Sequence, residues 1–352
     1  MNLQQFRFVR ETIRRNFNLT DAARTLFTSQ PGVSKSIIEF EDELGVKIFE
    51  RHGKRIKGLT KPGIVVAQVI DRIMREVDNL KKVSDEFARR DEGGLVIACT
   101  HTQARYILPK VIPAFCERFP KVHVSLAEGN PKALAQMVLH EQADVAMATE
   151  TLSRTPGLAS LPVYSWEHVI VVRPDHPLAE LTSSEARNLT LGRLAQYPIV
   201  TYDRQFSGRG SIDSAFAAGG ITPDIVLEAI DADVIKTYVD VGLGIGIIAG
   251  MAFDPRRDGG LVSLPAGNLF GTQVTSVAIK SGVFLRDYVY VLLEMMSSNL
   301  TRDVVREALD GVPVSDDSQS SDTTWAVPFK PASLAHSKLL SQGTTGRYSE
   351  TA

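Results

Sequence analysis

The residues best placed to do chemistry in this chain are hydroxyls and one amide at the ends of strand-like runs. Thr100, His101, Thr102 and Gln103 follow the run LVIAC and open a helical pattern; Thr149 follows DVAMA; Thr201 closes PIVT. In an open α/β sheet, ligands settle beyond the carboxyl ends of the strands. Hydroxyls and free N–H groups there donate to a small anion, and a helix N-terminus favours negative charge. Few cationic side chains lie in these turns, so a pocket of neutral donors is expected rather than an arginine clamp. Any one of these Thr residues suits ordinary helix capping. Their recurrence at separate turns favours binding. His101 sits among them without an acid nearby in sequence to make it a general base, while His123, His140, His168 and His176 fall elsewhere.

Signatures of catalysis are missing. No GxSxG, HExxH or P-loop pattern occurs. VGLGIG at 241–246 follows a helical pattern and precedes a strand, the reverse of a dinucleotide fingerprint, and reads as a tight turn. Cys99 and Cys116 are too few for a disulfide scaffold or paired zinc ligands. Cys99 reads as a small buried apolar residue, with a redox role the weaker alternative. No catalytic residue, cofactor or metal is expected.

The elements that must position the hydroxyls alternate. GGLVIACT, KVHVSLAEG and ADVAMATE read as strands separated by helical runs, a βαβαβ order that implies a parallel sheet. A second such unit begins near Val169, with YPIVTYD, DIVLEA and GIGIIAG as strands. SVAIKSG is expected to cross back towards the first half, and RDYVYVLLEMMSS to close it.

The ends of the chain differ from this middle. At 352 residues, with 43% hydrophobic and 23% charged residues, the chain is globular and long enough for two or three domains. Residues 1–62 hold 12 Lys and Arg against 7 Asp and Glu, an excess of five positive charges within a total of −2. That asymmetry suggests an anionic polymer as partner for this end alone. Leu3, Phe6, Val9 (or Phe8) and Ile13 mark one helical face. Asn18 caps a second helix, with Asp21 favouring its dipole. Thr28 or Ser29 caps a third, with Pro31 in its first turn. At 100° per residue, Val33, Ile37, Phe40 and Leu44 face inward while Ser34, Lys35 and Ile38 face outward. This is helix-turn-helix spacing, and the outward set suits the major groove. GVKIFERHGKRIKGLT reads as a wing of two strands turning at His52-Gly53, with Arg51, Lys54, Arg55 and Lys57 placed for phosphates. Then Val66, Ile70, Ile73, Val77, Leu80, Ser84 and Phe87 recur at 4-3 spacing, a heptad seam that predicts helix pairing. No signal sequence and no membrane span is evident, so a cytoplasmic protein is expected. Residues 312–352, with Trp325, Val327 and Phe329, read as a disordered tail.

LTDAARTLFTSQPGVSKSIIEFEDELGVKIFERHGKRIKGLTKPG resembles the winged helix-turn-helix of LysR-type transcriptional regulators, through "AA..L..SQP.VS", "LE.ELG..LF.R" and "LT..G". THTQARY, ATE, WEHVIVVRPDHPL, AQYPIVTY, DADVIKTYVDVGLGIGIIA and LTRDVV are similar to the branch of that family that governs sulfur assimilation and cysteine biosynthesis, to about residue 310. The resemblance implies an α+β multidomain chain. A winged helix-turn-helix at 1–62 and a linker dimerisation helix at 63–92 precede a periplasmic-binding-protein-like α/β effector domain at 93–311. That domain has two subdomains, roughly 93–163 plus 269–300, and 164–268. It implies DNA contacts from Thr28, Ser29, Gln30, Ser34, Lys35, Ile38, Arg51, Lys54 and Arg55. It also implies an effector pocket of Thr100, Thr102, Gln103, Thr149 and Thr201, with Trp166 near the ligand. N-acetylserine or O-acetylserine is the implied inducer, with sulfate able to occupy the same cleft. Promoter DNA, RNA polymerase and a homodimer or homotetramer are the implied partners. One alternative is a regulator of sulfonate-sulfur genes answering to adenylylsulfate or sulfate. Another, from a different class, is a solute-binding or catalytic α/β protein with an incidental basic head, which would turn over its ligand and leave no footprint on DNA.

Overall fold

The structure, a computed structural model, describes residues 1–53, 55–88, 92–149, 152–206 and 208–311. Lys54 of the expected wing, and the tail expected to be disordered at 312–352, lie outside these residues. The chain divides into two compact units, Met1–Ala88 and Arg89–Ala352.

In the first unit, helix α1 (Leu3–Arg14) opens on a capping box between Asn2 and Gln5. Phe6, Phe8 and Val9 are buried together. Leu3, expected inward, is exposed instead: it lies about 120° around the helix from Val9. Asn18 accepts the Thr20 and Asp21 N–H groups to start α2 (Leu19–Thr25), as its position predicts. Ser29 caps α3 (Gln30–Leu44), accepting from Gly32 at 3.2 Å. Val33, Ile37 and Phe40 point inward. Leu44 shares their angle but sits in the last turn before Gly45 and stays exposed. Glu41 takes the inward place instead, its Oε1 accepting the Ile48 and Phe49 N–H groups at 2.8 and 3.0 Å. The antiparallel wing is β1 (Phe49–His52) and β2 (Arg55–Leu59).

The 28-residue α4 (Lys61–Ala88) follows. An Arg10–Asp78 bridge of 2.8 Å fastens it to α1. The heptad line read from sequence does not stay on one free face. Ile70 and Met74 are buried in the core of the first unit, with Val66 and Val77 packed against it. Val65, Val69, Ile73, Leu80 and Phe87 are left exposed, Phe87 at 89%. At 100° per residue, positions three apart differ by about 60°, so the row Val66, Ile70 and Val77 turns to the chain's own core while the row Ile73, Leu80 and Phe87 turns away from it.

The second unit opens with β3 (Glu92–Cys99), α5 (His101–Tyr106), α6 (Ile112–Arg118), β4 (Lys121–Glu128), α7 (Pro131–Leu139) and β5 (Val145–Thr149). Strand β3 pairs in parallel with both β4 and β5, the predicted βαβαβ order. Next come β6 (Leu158–Val172), α8 (Ser183–Arg187), α9 (Leu191–Leu194), β7 (Ile199–Tyr202), α10 (Arg209–Ala218), β8 (Ile225–Ala229), α11 (Ala232–Asp240) and β9 (Ile245–Ala249). The chain closes with β10 (Val262–Pro265), α12 (Gly267–Phe270), β11 (Thr272–Lys280), α13 (Asp287–Met296) and α14 (Arg302–Leu309). Strand β7 pairs in parallel with β8 and β9. Strand β11 crosses back as expected and runs antiparallel between β5 and β6.

The 15-residue β6 carries both halves. Residues 158–167 pair with β11, and residues 168–171 pair with β9. Its buried and partly exposed residues alternate, but the phase shifts at Val163–Tyr164, where the pairing with β11 is irregular, and that break in the two-residue period hid it. The VGLGIG run is a helix-to-strand turn: Gly242 has φ +86°, and a Cβ on Gly246 would lie 2.5 Å from Val171. Among the described residues, no helix is long and apolar enough to cross a membrane.

Candidate functional site

The structure brings part of the predicted set together. Thr100 is the buried N-cap residue of α5, yet its side chain makes no capping bond. Ordinary capping therefore does not account for its hydroxyl. Thr149 ends β5, and its hydroxyl lies 3.1 Å from that of Thr275 on β11. The Trp166 indole N–H donates to both, at 3.2 and 3.1 Å. The Tyr164 hydroxyl donates to Gln103 Oε1 at 2.5 Å. Gln103, Thr149 and Trp166, all expected at the site, are thus joined by Tyr164 and Thr275, which the sequence reading missed. Their one signal was position: Tyr164 precedes Trp166 by two on the same face of β6, and Thr275 lies opposite Tyr164 in register on β11.

Thr201 is buried but belongs to the other half of the sheet, donating to the Ile247 carbonyl at 3.1 Å. Half-buried Thr102 hydrogen-bonds Tyr202, whose hydroxyl accepts the Ala249 N–H at 3.0 Å. That bond spans from α5 to β7. Buried side chains with apolar walls raise the Tyr164 and Tyr202 phenols above the ordinary range, so both remain donors at any working pH. Burial likewise pushes the Cys99 thiol up to about 12, with Glu128 adding to the effect, as an inert apolar-site cysteine requires.

Three features correct the sequence reading. First, His101 has acids beside it: its Nδ1 is 2.9 Å from Glu128 Oε2 and its Nε2 is 4.0 Å from Asp233. Both acids lie far along the chain and reach it only through the fold. Burial disfavours the Asp233 carboxylate, but Tyr106, Lys236 and Arg105 outweigh it and hold its pKa below the ordinary value. Second, His168 is not remote. Two residues beyond Trp166, its ring meets the indole edge-on with centroids 4.9 Å apart. It is fully buried, and among the described residues neither ring nitrogen makes a well-formed hydrogen bond, the Gly208 backbone offering only a weak one. Burial pushes its pKa down to about 4, with the Gly208 backbone working weakly the other way. Gly208 has φ +89°, and a Cβ there would lie 2.9 Å from His168 Nε2, so only glycine fits. Third, cations are present near the strand ends. Arg209 is fully buried, donating to the Tyr202 carbonyl and pairing with Asp213 and Glu228 at 2.7 Å each. Its charge is neutralised in place.

On the first unit, Thr28, Ser29, Lys35 and Arg55 are exposed, and Gln30 and Ser34 are half-buried. Ile38 is 39% exposed while Ile37 is buried, as the helical angles predict. Lys35 lies 3.7 Å from Glu39 on the same surface. Arg51 departs from the expected outward cluster: its guanidinium turns to the buried Glu41, 3.9 Å away. The unmet need of a buried carboxylate draws it inward.

Known proteins match both units. Residues 3–63 match the bacterial regulatory helix-turn-helix protein family of lysR type, and residues 88–301 match the LysR substrate binding domain. The chain belongs to the LysR family of transcriptional regulators, with a DNA-binding helix-turn-helix followed in sequence by a periplasmic-binding-protein-like α/β domain; it is a regulator, not an enzyme. It is 57% identical over 311 residues to the HTH-type transcriptional regulator CysB of Burkholderia cenocepacia, covering 88% of this chain and 98% of that one. It is 52% identical over 313 residues to SsuR of the same organism, covering 88% and 100%. The crystal structure of the cofactor-binding domain of the Cbl transcriptional regulator matches with TM-score 0.58 and 40% identity, over 62% of this chain and 94% of that one.

Proposed function

We propose that this chain regulates genes of sulfur assimilation and cysteine biosynthesis, gated by N-acetylserine, O-acetylserine or a sulfate-like anion in the cleft of its second unit. The observation that carries the proposal is the uncommitted Thr100 hydroxyl beside a buried donor network of Gln103, Tyr164, Thr149, Thr275 and Trp166. Neutral donors in a closed site suit an anion that must be both held and released. Thr100, Thr102, Gln103, Thr149 and Trp166 hold the effector from one half, and Thr201 faces it from the other. Ligand binding shifts the protein only through its differential affinity for two arrangements of these halves.

The head reads promoter DNA in the cytoplasm through Thr28, Ser29, Gln30, Ser34, Lys35 and Ile38, with Lys54 and Arg55 meeting phosphates and Arg51 held back by Glu41. The exposed line Val65, Val69, Ile73, Leu80 and Phe87 on α4 pairs with a second copy, since two half-sites need two recognition helices. Dimers join into tetramers, and RNA polymerase is the downstream partner. A second reading, control of sulfonate-sulfur genes, is favoured by the likeness to the Cbl domain at 40% identity.

Footprinting on promoter DNA with and without N-acetylserine, sulfate and adenylylsulfate tests the proposal. The first reading expects the footprint to move with N-acetylserine, and the second expects it to move with adenylylsulfate or sulfate alone. The pair Thr102→Ala and Gln103→Ala is expected to abolish thermal stabilisation by the inducer while sparing basal DNA binding. A footprint unmoved by all three compounds sinks both ligand assignments.

A further inference from the structure

A pocket of about 370 Å³ lies apart from the hydroxyl network, between the start of the second unit and the segment after β9. Arg105, Tyr106 and Lys110 line one side; Phe253, Asp254 and Arg257 line the other. The volume falls within the range of small-molecule sites. Three cations face one acid across it, in a chain whose total charge is −2. Arg105 is paired with Asp233 at 2.6 Å, which fixes its guanidinium on the rim. The Arg257 side chain has no partner among the described residues, although its backbone N–H closes a turn on Asp254. Tyr106 and Phe253 are the aromatic residues that line the same pocket. The Lys236 ammonium lies 5.3 Å from the Tyr106 ring centroid, and Tyr106 is further fixed by its hydrogen bond to Asp233 at 2.7 Å. An aromatic wall held from behind is a preformed surface for a flat body, with little ordering cost on binding.

We infer that this pocket is a second ligand site, taking a small organic anion with an aromatic or otherwise apolar body. The anionic group meets Lys110 and Arg257, and the body lies between Tyr106 and Phe253. Desolvation at the pocket wall draws the Lys110 pKa down, with Asp254 opposing it, and an anion in the pocket reverses that loss. A bare inorganic anion fills the charge requirement and leaves the rings uncovered, so it binds more weakly. The bound anion bridges α5 and the chain after β9. It therefore acts on the same contact, Arg105 and Tyr106 to Asp233, that joins the two halves of the unit.

Isothermal titration of the full chain with benzenesulfonate, and separately with inorganic sulfate, tests this. One saturable benzenesulfonate site per chain is expected. Arg257→Glu should weaken it by about tenfold or more, and Lys110→Gln by a smaller factor. The Thr102→Ala, Gln103→Ala pair should leave it within about twofold, because that pair touches only the hydroxyl cleft. Circular dichroism melts of Arg257→Glu check that this exposed substitution keeps the fold. Absence of saturable binding at millimolar probe overturns the inference, as does an affinity unchanged by Arg257→Glu. Loss of binding in the Thr102, Gln103 pair also overturns it, since the probe is then in the hydroxyl cleft; the inducer reading survives that outcome and falls only by its own footprint.

Discussion

The two units satisfy their buried polar groups over different distances along the chain. In the head, Glu41 is served by Ile48 and Phe49, seven and eight residues on, and the Ser29 cap by Gly32, three residues on. In the effector unit, Thr149 meets Thr275 across 126 residues, Gln103 meets Tyr164 across 61, and His168 has among the described residues only the weak contact of the Gly208 backbone. Local wiring makes the head a fixed reading surface. Long-range wiring makes the effector unit depend on how its halves come together, which is what a sensor requires.

The largest expected effect tests the head's local wiring. Glu41→Ala strands two buried N–H groups and leaves Arg51 without its acid, at a cost of about 3–5 kcal/mol. Calorimetry of the full chain should lose the head's transition while the effector unit's transition stays. Equal loss in both would erase the contrast between the units.

The next tests the buried imidazole. The folded pKa of His168 lies near 4, below the usual 6.5, so the unfolded chain binds the proton more tightly. Its contribution is complete above pH 6.5 and is lost as pH falls towards 4, about 3 kcal/mol in all. His168→Leu should flatten that acid limb in thermal melts between those pH values. An acid limb of unchanged steepness would mean that His168 has a partner in solution.

The smallest effect sharpens the picture of the wing. Arg55→Ala should lower the slope of log affinity against log salt for duplex DNA by about one, at nearly unchanged stability. Arg51→Ala should do the opposite, destabilising the head with less change in slope, because its guanidinium is turned to Glu41. Identical behaviour of the two arginines would return Arg51 to the outer surface.

This difference in range also governs what could be read from the sequence. The caps at Asn18 and Ser29, the inward Ile37 beside the outward Ile38, and the two-stranded wing all follow from residues within a few positions of one another. Where the head misled, the cause was an end effect or a demand from the core: Leu44 ran past its neighbours, and Glu41 drew Arg51 inward. In the effector unit the strand-end hydroxyls were legible because topology alone puts them at one edge. Tyr164, Thr275, the acids beside His101 and the closeness of His168 to Trp166 were not, since register and sheet crossing decide them. The seam on α4 was half legible. Its apolar repeat is there, but periodicity does not say which residues the chain's own core will claim.

Strand β6 changes partners between Glu167 and His168, with Trp166 on one side of that point and His168 on the other. A ribbon gripped by different neighbours at its two ends is a torsion bar. Any rotation of one half against the other twists the peptide planes at this spot first, and the indole and imidazole swing with it. If the effector lodges beside the indole, as proposed, it presses on the short arm of a lever whose long arm is an entire lobe.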